Sequence, residues 1–108
     1  MTGRKFRLPV GEFPVRPLRQ ARSEYFSLKV SKNKFGHNRF AVVIGARVDK
    51  RSVRRHFWKR RILDWAKREP DAGADLLITV APPLNKLSKE DAAKEFKKVF
   101  ETAMRVLL

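Results

Sequence analysis

Residues 49–69, DKRSVRRHFWKRRILDWAKRE, combine a run of positive charge with large aromatic side chains. Seven of the twelve residues from Lys50 to Arg61 are Lys or Arg. On a helical wheel, one arc of about 100° holds four apolar side chains, which are Trp58, Ile62, Trp65 and Ala66. This spacing predicts a helix that packs on a sheet through the apolar arc and turns a largely basic surface outwards.

The segments on either side of this helix predict strands. Apolar and polar residues alternate in Tyr25–Ser31, and the run Arg39–Ala46 is apolar and rich in β-branched residues. The loop between them has Gly36 as its turn residue, which favours pairing of the two strands as a hairpin. A third strand is predicted for Ala74–Pro83, where paired prolines end it.

Capping residues and helix breakers bound the two predicted helices. Asp49 or Ser52 is expected to cap the basic helix, which runs to about Arg68. Ser88 and Asp91 resemble a capping box before a last helix. The apolar stripe of that helix comprises Ala92, Phe96, Val99, Phe100, Ala103 and Leu107. The order of elements predicts an α+β fold, a small two-layer sandwich with helices packed on a central sheet.

Residues 1–20 differ from the rest of the chain. Pro9, Pro14 and Pro17 oppose a regular helix and favour an extended arm. We therefore expect a basic N-terminal arm, residues 1–20, followed by a single domain, residues 21–108. The arm is either a solvated tail or a segment that a nucleic acid orders.

Net charge is the strongest indication of function. The chain holds 26 basic and 11 acidic residues, for a formal net charge of +15 and a pI near 11.2. Residues 1–68 carry a net +16 and residues 69–108 a net −1. A charge excess confined to one part of the chain favours a surface that binds a polyanion. The first candidate partner is a nucleic acid, and the second is an anionic membrane.

Several function classes lack the residues they need. The chain has no cysteine, which excludes disulfides and thiolate chemistry and fits a reducing cytosol. No apolar run approaches the roughly 20 residues of a membrane span, and no signal peptide is expected. His56 is expected to contact phosphate or another polar group, and His37 stands in a loop with no acidic cluster near it, so no metal site is predicted. No nucleophile-base pair or carboxylate pair has convincing spacing, so we expect neither independent catalysis nor a small-molecule substrate.

The candidate RNA contacts lie on the basic helix and just before it. They are Lys50, Arg51, Arg54, Arg55, His56, Lys59, Arg60 and Arg61. Arginine outnumbers lysine five to two in Lys50–Arg61, which suits bidentate contacts to phosphate. Phe57 lies outside the apolar arc, and two interpretations stay open. It fills a hydrophobic edge of the sandwich, or it stacks on a nucleobase or lies under an arginine.

The chain resembles the protein subunit of bacterial ribonuclease P. The signature helix of that family reads roughly Arg-Asn-Arg-hydrophobic-Lys-Arg, and the matching segment here is RHFWKRRI. Arg55 matches the first arginine, Trp58 the hydrophobic position, and Lys59-Arg60 the Lys-Arg pair. RFAVVIGAR and ADLLITVAPP are similar to strands of the family, and LSKEDAAKEFKKVF is similar to its last helix. The order of elements agrees from about residue 24 to residue 104.

The chain also departs from the family. His56 and Phe57 stand where the signature has asparagine and its second arginine, and Gly45-Ala46 stands where the family usually has Ser-Lys. Residues 1–20 do not look like the family's first helix, whose aromatics line a central cleft.

The resemblance implies a left-handed β-α-β crossover through the basic helix, in a fold like that of the second domain of ribosomal protein S5. It implies a cytoplasmic protein that assists a catalytic RNA in cutting precursor tRNA at the 5′ end. Mg²⁺ would be held mainly by the RNA, and the protein would have no cofactor or catalytic residue of its own. The implied partners are the ribonuclease P RNA and the precursor tRNA. The cleft that binds the single-stranded 5′ leader would involve Tyr25, Ser27, Lys29 and Phe57.

Two other functions share the size and charge of this chain. One is a non-enzymatic, ribosomal-type RNA-binding protein. The other is a DNA-binding module with a helix in the major groove. A helix-turn-helix would need a short helix directly before Asp49, where a strand is predicted instead.

Overall fold

The computed structural model describes residues 7–9, 11, 13 and 17–105. Within them, four strands and two α-helices are arranged in the order β1 Arg19–Arg22, β2 Phe26–Lys32, β3 Arg39–Val43, α1 Ser52–Lys67, β4 Ala74–Val80 and α2 Lys89–Met104. A short 3-10 helix, Pro82–Lys86, precedes α2. The predicted α+β class, with helices on one central sheet, is confirmed.

The strands form one mixed sheet in the order β1-β2-β4-β3. β4 pairs antiparallel with β2, and it pairs parallel with β3 on its other side. The predicted hairpin between β2 and β3 is therefore wrong. The apolar run of β4 fits the centre of the sheet, so it separates two strands that are neighbours in the sequence. α1 makes the crossover between the parallel strands β3 and β4, and the handedness of this crossover stays a prediction.

One face of the sheet carries the core. Phe26, Leu28 and Val30 of β2 are buried there with Leu76 and Ile78 of β4. Because side chains alternate along a strand, the other residues of β2 point away from the helices. The core face is covered by α1 and α2, so the domain has the predicted two layers.

Both helices contribute the apolar faces that their sequences predict. Trp58, Ile62 and Ala66 of α1 are buried, and Trp65 is half-buried and packs on Phe96 with ring centroids 6.0 Å apart. Burying such a side chain contributes about 2 kcal/mol. In α2 the buried stripe includes five of the six predicted residues, and the sixth, Leu107, lies outside the described residues.

The helix starts differ in how they are capped. Ser88 accepts a hydrogen bond from the Asp91 backbone N–H at 3.1 Å, which confirms the predicted cap of α2. The N-cap position of α1 is Arg51, so the cap predicted at Asp49 or Ser52 is wrong. Asp49 instead accepts the Arg51 backbone N–H at 3.0 Å, because it lies in the loop two residues before that position.

Segments of the predicted arm lie against the sheet. β1 pairs with β2 and spans the predicted boundary between residues 20 and 21. At the opposite edge, the Leu8 backbone N–H donates to the Phe40 carbonyl oxygen at 2.9 Å, and the Leu8 side chain is only 3% exposed. β1 was not predicted, because RQAR offers no apolar alternation.

Candidate nucleic-acid interface

The outward surface of α1 carries most of the predicted RNA contacts. His56, Lys59, Arg60 and Arg61 are exposed on it, and Arg54 and Arg55 are half-buried. The opposite face of the helix is anchored in the core by Trp58 and its neighbours. Lys50 and Arg51 extend this surface, hereafter the basic helix surface, past the start of the helix. The anchored helix therefore fixes the positions from which these cations project towards a polyanion.

Asp49 organises the first turn of this surface. Its buried carboxylate lies 3.2 Å from Arg51 Nε and 3.7 Å from Arg54 Nε. Hydrogen bonds from the Arg51 side chain and backbone hold the pKa of Asp49 below its ordinary value. The first turn of α1 has no acidic residue of its own. Cations at a helix N-terminus oppose the helix dipole, and the charge of Asp49 offsets part of that cost.

Arg55 is held by the same loop. Its Nη1 donates to the carbonyl oxygens of Asp49 and Lys50, both at 2.9 Å. The guanidinium therefore ties the first turn of the helix to the backbone that precedes it. The remaining N–H groups of Arg55 are oriented by this attachment.

Phe57 combines two of the roles expected for it. The side chain is half-buried, packs against the core, and meets Trp58 edge-on with ring centroids 5.6 Å apart. The guanidinium carbon of Arg54 lies 5.4 Å from the Phe57 ring centroid and that of Arg61 5.1 Å. These distances suit cation–π contacts. Phe57 thus fills an edge of the core and supports two arginines of the basic helix surface.

A groove of about 620 Å³ lies between one flank of α1 and the edge of β3. Its polar walls come from Arg7, His56, Lys59, Arg60 and Asp64, and its apolar walls from Leu8, Pro9, Phe40, Ala41, Val42 and Leu63. Cations beside an apolar floor suit a nucleotide, whose phosphate is charged and whose base is flat and largely apolar on its faces.

The four residues expected in the leader cleft lie in three places. Ser27 and Lys29 are on the sheet face that points away from the helices, where Ser27 accepts a hydrogen bond from Gln20 at 3.2 Å. Phe57 lies on α1, on the other side of the sheet. All four residues are described, and they do not form one site.

Tyr25 is the residue whose predicted direction is wrong. The alternation of β2 predicts that it points outwards with Ser27, but β2 begins only at Phe26. Tyr25 instead packs partly against the core. Burial and the negative charges of Glu24 and Glu95 raise its pKa, which reflects a position close to α2.

An ion pair at the start of β3 was missed at the sequence level. Arg39 Nε and Nη2 donate to Asp75 at 2.8 and 2.7 Å, and Asn33 Nδ2 donates to the same carboxylate at 2.9 Å. Burial opposes ionisation of Asp75, but these hydrogen bonds and the charge of Arg39 lower its pKa. An acid inside an apolar strand is the signal that could have revealed a partner, since buried charges are nearly always paired.

The described residues also bear on metal ions and membranes as other partners. Within this part of the chain, no group of three or more His, Cys, Asp or Glu could hold a metal ion. No helix among the same residues is both long and apolar enough to cross a membrane.

Comparison with known proteins identifies the family. The family model for Ribonuclease P matches residues 13–104. The chain belongs to the ribonuclease P protein family. Its role is therefore that of the protein subunit of ribonuclease P, in tRNA processing. The match to this family model favours the ribonuclease P protein over the ribosomal-type and DNA-binding alternatives.

Solved structures of the family share the fold. The RNase P protein of Staphylococcus aureus superposes with a TM-score of 0.72 at 17% identity, over 83% of this chain and 84% of that one. The RNase P protein of Thermotoga maritima superposes with a TM-score of 0.65 at 19% identity, over 81% of this chain and 82% of that one. Among curated proteins, no match to this chain is found.

The family signature divides between the two faces of α1. Arg55 is attached to the loop before the helix, Trp58 is in the core, and Lys59 and Arg60 are exposed. Phe57 occupies the position of the signature's second arginine, where it contacts Arg54 and Arg61.

Proposed function

We propose that this subunit binds the catalytic RNA of ribonuclease P through the basic helix surface. The observation that carries the proposal is the cluster around Asp49 at the start of α1. Asp49 hydrogen-bonds Arg51 and Arg55, and it forms a longer ion pair with Arg54 at 3.7 Å. Preorganised guanidinium groups lose little side-chain entropy when they meet phosphates. The contacts to the RNA are therefore made by residues that the protein has already positioned.

The dimensions and composition of α1 support this role. Its 16 residues span about 24 Å, which is long enough to follow several phosphates along an RNA backbone. A-form RNA is bound mainly through its shape, its phosphates and its 2′-hydroxyls. The groove beside His56 and Lys59 adds room for one nucleotide of the same RNA.

The single-stranded 5′ leader of precursor tRNA is proposed to bind on the outward face of the sheet. Lys29 supplies a cation there, and Ser27 supplies a hydroxyl. Thr79 faces Ser27 across the β2–β4 pair and adds a second hydroxyl to the same row. Tyr25 and Phe57 are left out of this proposal because the geometry separates them from that face.

Chemistry is assigned to the RNA. We propose that the RNA, whose phosphate oxygens suit Mg²⁺, holds the Mg²⁺ that activates the attacking water. The subunit neutralises phosphates, which lets the RNA and its substrate approach each other with less Mg²⁺ in solution. This work is carried out in the cytoplasm, where precursor tRNA is processed.

The test combines the chain with a bacterial ribonuclease P RNA and a precursor tRNA at low Mg²⁺. Wild-type protein should stimulate cleavage at the 5′ end. The double variant Lys59→Glu/Arg60→Glu should lose most of that stimulation while its circular dichroism spectrum stays folded, because both side chains are exposed.

The matched control is Lys94→Glu/Lys97→Glu. It makes the same change in net charge at two exposed positions of α2. Equal loss of stimulation in both variants would attribute the effect to net charge and overturn the proposed role of the basic helix surface. Ordinary RNA binding by wild-type protein without any stimulation would overturn the proposed function itself.

A further inference from the structure

The loop between β2 and β3 exposes an aromatic ring among positive charges. The side chain of Phe35 is 56% exposed. Lys32 and Lys34, which precede it in the sequence, are both exposed, and residues 32–38 contain no acid. A single exposed phenylalanine is common on protein surfaces, so the groups around it decide whether it can bind a partner.

The loop is held in one conformation by Asn33. Its Oδ1 accepts the Phe35 backbone N–H at 2.8 Å, and its Nδ2 donates to the His37 carbonyl oxygen at 3.0 Å. Gly36 adopts a φ of 74°, a left-handed conformation that glycine enters without strain. Phe35 is therefore presented by a fixed turn and needs little ordering when it meets a partner.

One face of the Phe35 ring is supported by Arg39. The guanidinium carbon lies 4.4 Å from the ring centroid, within cation–π range. Arg39 is itself fixed by its two hydrogen bonds to Asp75. The His37 ring lies tilted beside it, with centroids 6.0 Å apart, and more than half of the Phe35 side chain is still exposed. A flat partner could stack there on a ring that is already backed by a cation.

Hydrogen bonds to a neighbouring segment place the loop near the C-terminal end of α1. The Asn33 backbone N–H donates to the Gly73 carbonyl oxygen at 2.8 Å, and Asn38 Nδ2 donates to the Pro70 carbonyl oxygen at 3.1 Å. These bonds fasten the loop to the segment that directly follows α1. Arg39 alternates with the buried Phe40 along β3, so its guanidinium and the Phe35 ring that it contacts lie towards the sheet face that points away from the helices.

We infer that Phe35, backed by Arg39, stacks on an unpaired nucleobase of RNA, with Lys32 and Lys34 beside it for the phosphates. An unpaired nucleotide offers the two features that this surface matches, a flat π-face and an adjoining negative charge. A base inside a duplex has its faces covered by its neighbours, so a duplex offers only the negative charge. The inference rests on the proposed RNA-binding function and adds a second contact, distinct from the basic helix surface.

The test compares two probes, a short single-stranded oligoadenylate and a blunt RNA duplex of the same strand length. Phe35→Ala should weaken binding of the single strand by at least about fivefold, because stacking on an aromatic ring contributes that much per base. Binding of the duplex should stay within about twofold of wild type. The salt dependence of single-strand binding should not change, since no cation is removed.

Two further variants at the same position separate stacking from apolar contact. Phe35→Trp should bind the single strand at least as tightly as wild type, because indole has a larger π-face. Phe35→Leu keeps an apolar side chain under which Arg39 stays covered, and it should bind as weakly as Phe35→Ala. Both melting temperatures should stay close to that of wild type, since the side chain is largely exposed.

The outcomes distinguish this inference from the function on which it rests. Wild-type affinity in Phe35→Ala, or equal weakening of single strand and duplex, overturns the stacking site alone. If Phe35→Leu binds the single strand with wild-type affinity, the contact is only apolar, and the stacking site is overturned as well. If wild-type protein binds neither probe, the proposed RNA-binding function fails, whatever the Phe35 variants do.

Discussion

Arg55 and Asp49 are joined by a hydrogen bond from a side chain to the backbone, with Arg55 Nη1 2.9 Å from the Asp49 carbonyl oxygen. The first arginine of the family signature is thus part of the protein's own framework as well as its charged surface. The same Nη1 reaches the Lys50 carbonyl oxygen. Loss of Arg55 should therefore affect folding and RNA binding together.

Arg55→Lys is predicted to separate these two effects. An ammonium keeps the charge but does not reproduce the geometry of the guanidinium, so the free energy of unfolding should fall by about 1 kcal/mol. Urea denaturation followed by circular dichroism measures this change. Lys59→Ala is the control, because its exposed side chain should leave stability unchanged while RNA affinity falls. Unchanged stability in Arg55→Lys would contradict the framework role.

Asp75→Asn is predicted to destabilise the domain strongly at neutral pH. The change leaves the Arg39 guanidinium largely buried without its carboxylate, at a cost of about 3 kcal/mol. A double variant, Arg39→Met/Asp75→Asn, should recover part of this loss because the unpaired charge is gone. If the double variant is less stable than Asp75→Asn, the loss comes from packing and the ion-pair argument is wrong.

The same carboxylate predicts a pH dependence. Because the folded-state pKa of Asp75 lies below its ordinary value of 3.8, its contribution to stability is fully present above about pH 4. That contribution disappears as the pH falls through the folded-state pKa. The difference in unfolding free energy between wild type and Asp75→Asn should therefore narrow on acidification below pH 4. Asp49 titrates in both proteins, so the comparison isolates Asp75. A constant difference down to acid would contradict the assignment.

The parts of the fold that were predictable are those encoded locally. The arc that contains Trp58 and Ile62 fixes which face of α1 is buried, and Ser88 fixes where α2 begins. The strand order was not predictable in this way. It depends on β4 pairing with both β2 and β3. The alternation of residues within a strand shows which face is buried but not which strand lies beside it. The predicted direction of the Tyr25 side chain was wrong for a related reason. Because β2 starts at Phe26, the alternation of side chains along the strand does not apply to Tyr25.

In the candidate site too, the features encoded locally were predictable and those that depend on contacts between side chains were not. Charge alone marks Lys59, Arg60 and Arg61 as surface residues, and their exposure follows from the buried arc opposite them. The support given by Asp49 and Phe57 could not be inferred from composition, because it depends on side-chain contacts across the first turns of α1. Charge alone would also place Arg39 on the surface, but its guanidinium is largely buried in an ion pair with Asp75.

Phe57→Leu is predicted to weaken RNA binding more than folding. Leucine retains most of the apolar contact with the core but has no π-face for Arg54 and Arg61, so affinity should fall about two- to fivefold. Phe57→Ala should also lose stability, by about 2 kcal/mol for a half-buried ring. Equilibrium binding and urea denaturation of both variants check this. Equal RNA affinity in wild type and Phe57→Leu would reduce Phe57 to a packing residue.

The salt dependence of RNA binding can assign individual phosphate contacts on the basic helix surface. The logarithm of the binding constant falls linearly with the logarithm of salt concentration, with a slope of about 0.7 to 0.9 for each phosphate that the protein neutralises. Replacing Lys59, Arg60 or Arg61 singly by alanine should therefore reduce the slope by about 1. Lys94→Ala serves as the comparison, because it removes one exposed charge from α2, away from the basic helix surface, and should leave the slope unchanged. A slope that drops equally for Lys94 and for the three helix residues would show that the response reports net charge, and the assignment of phosphate contacts to α1 would then be wrong.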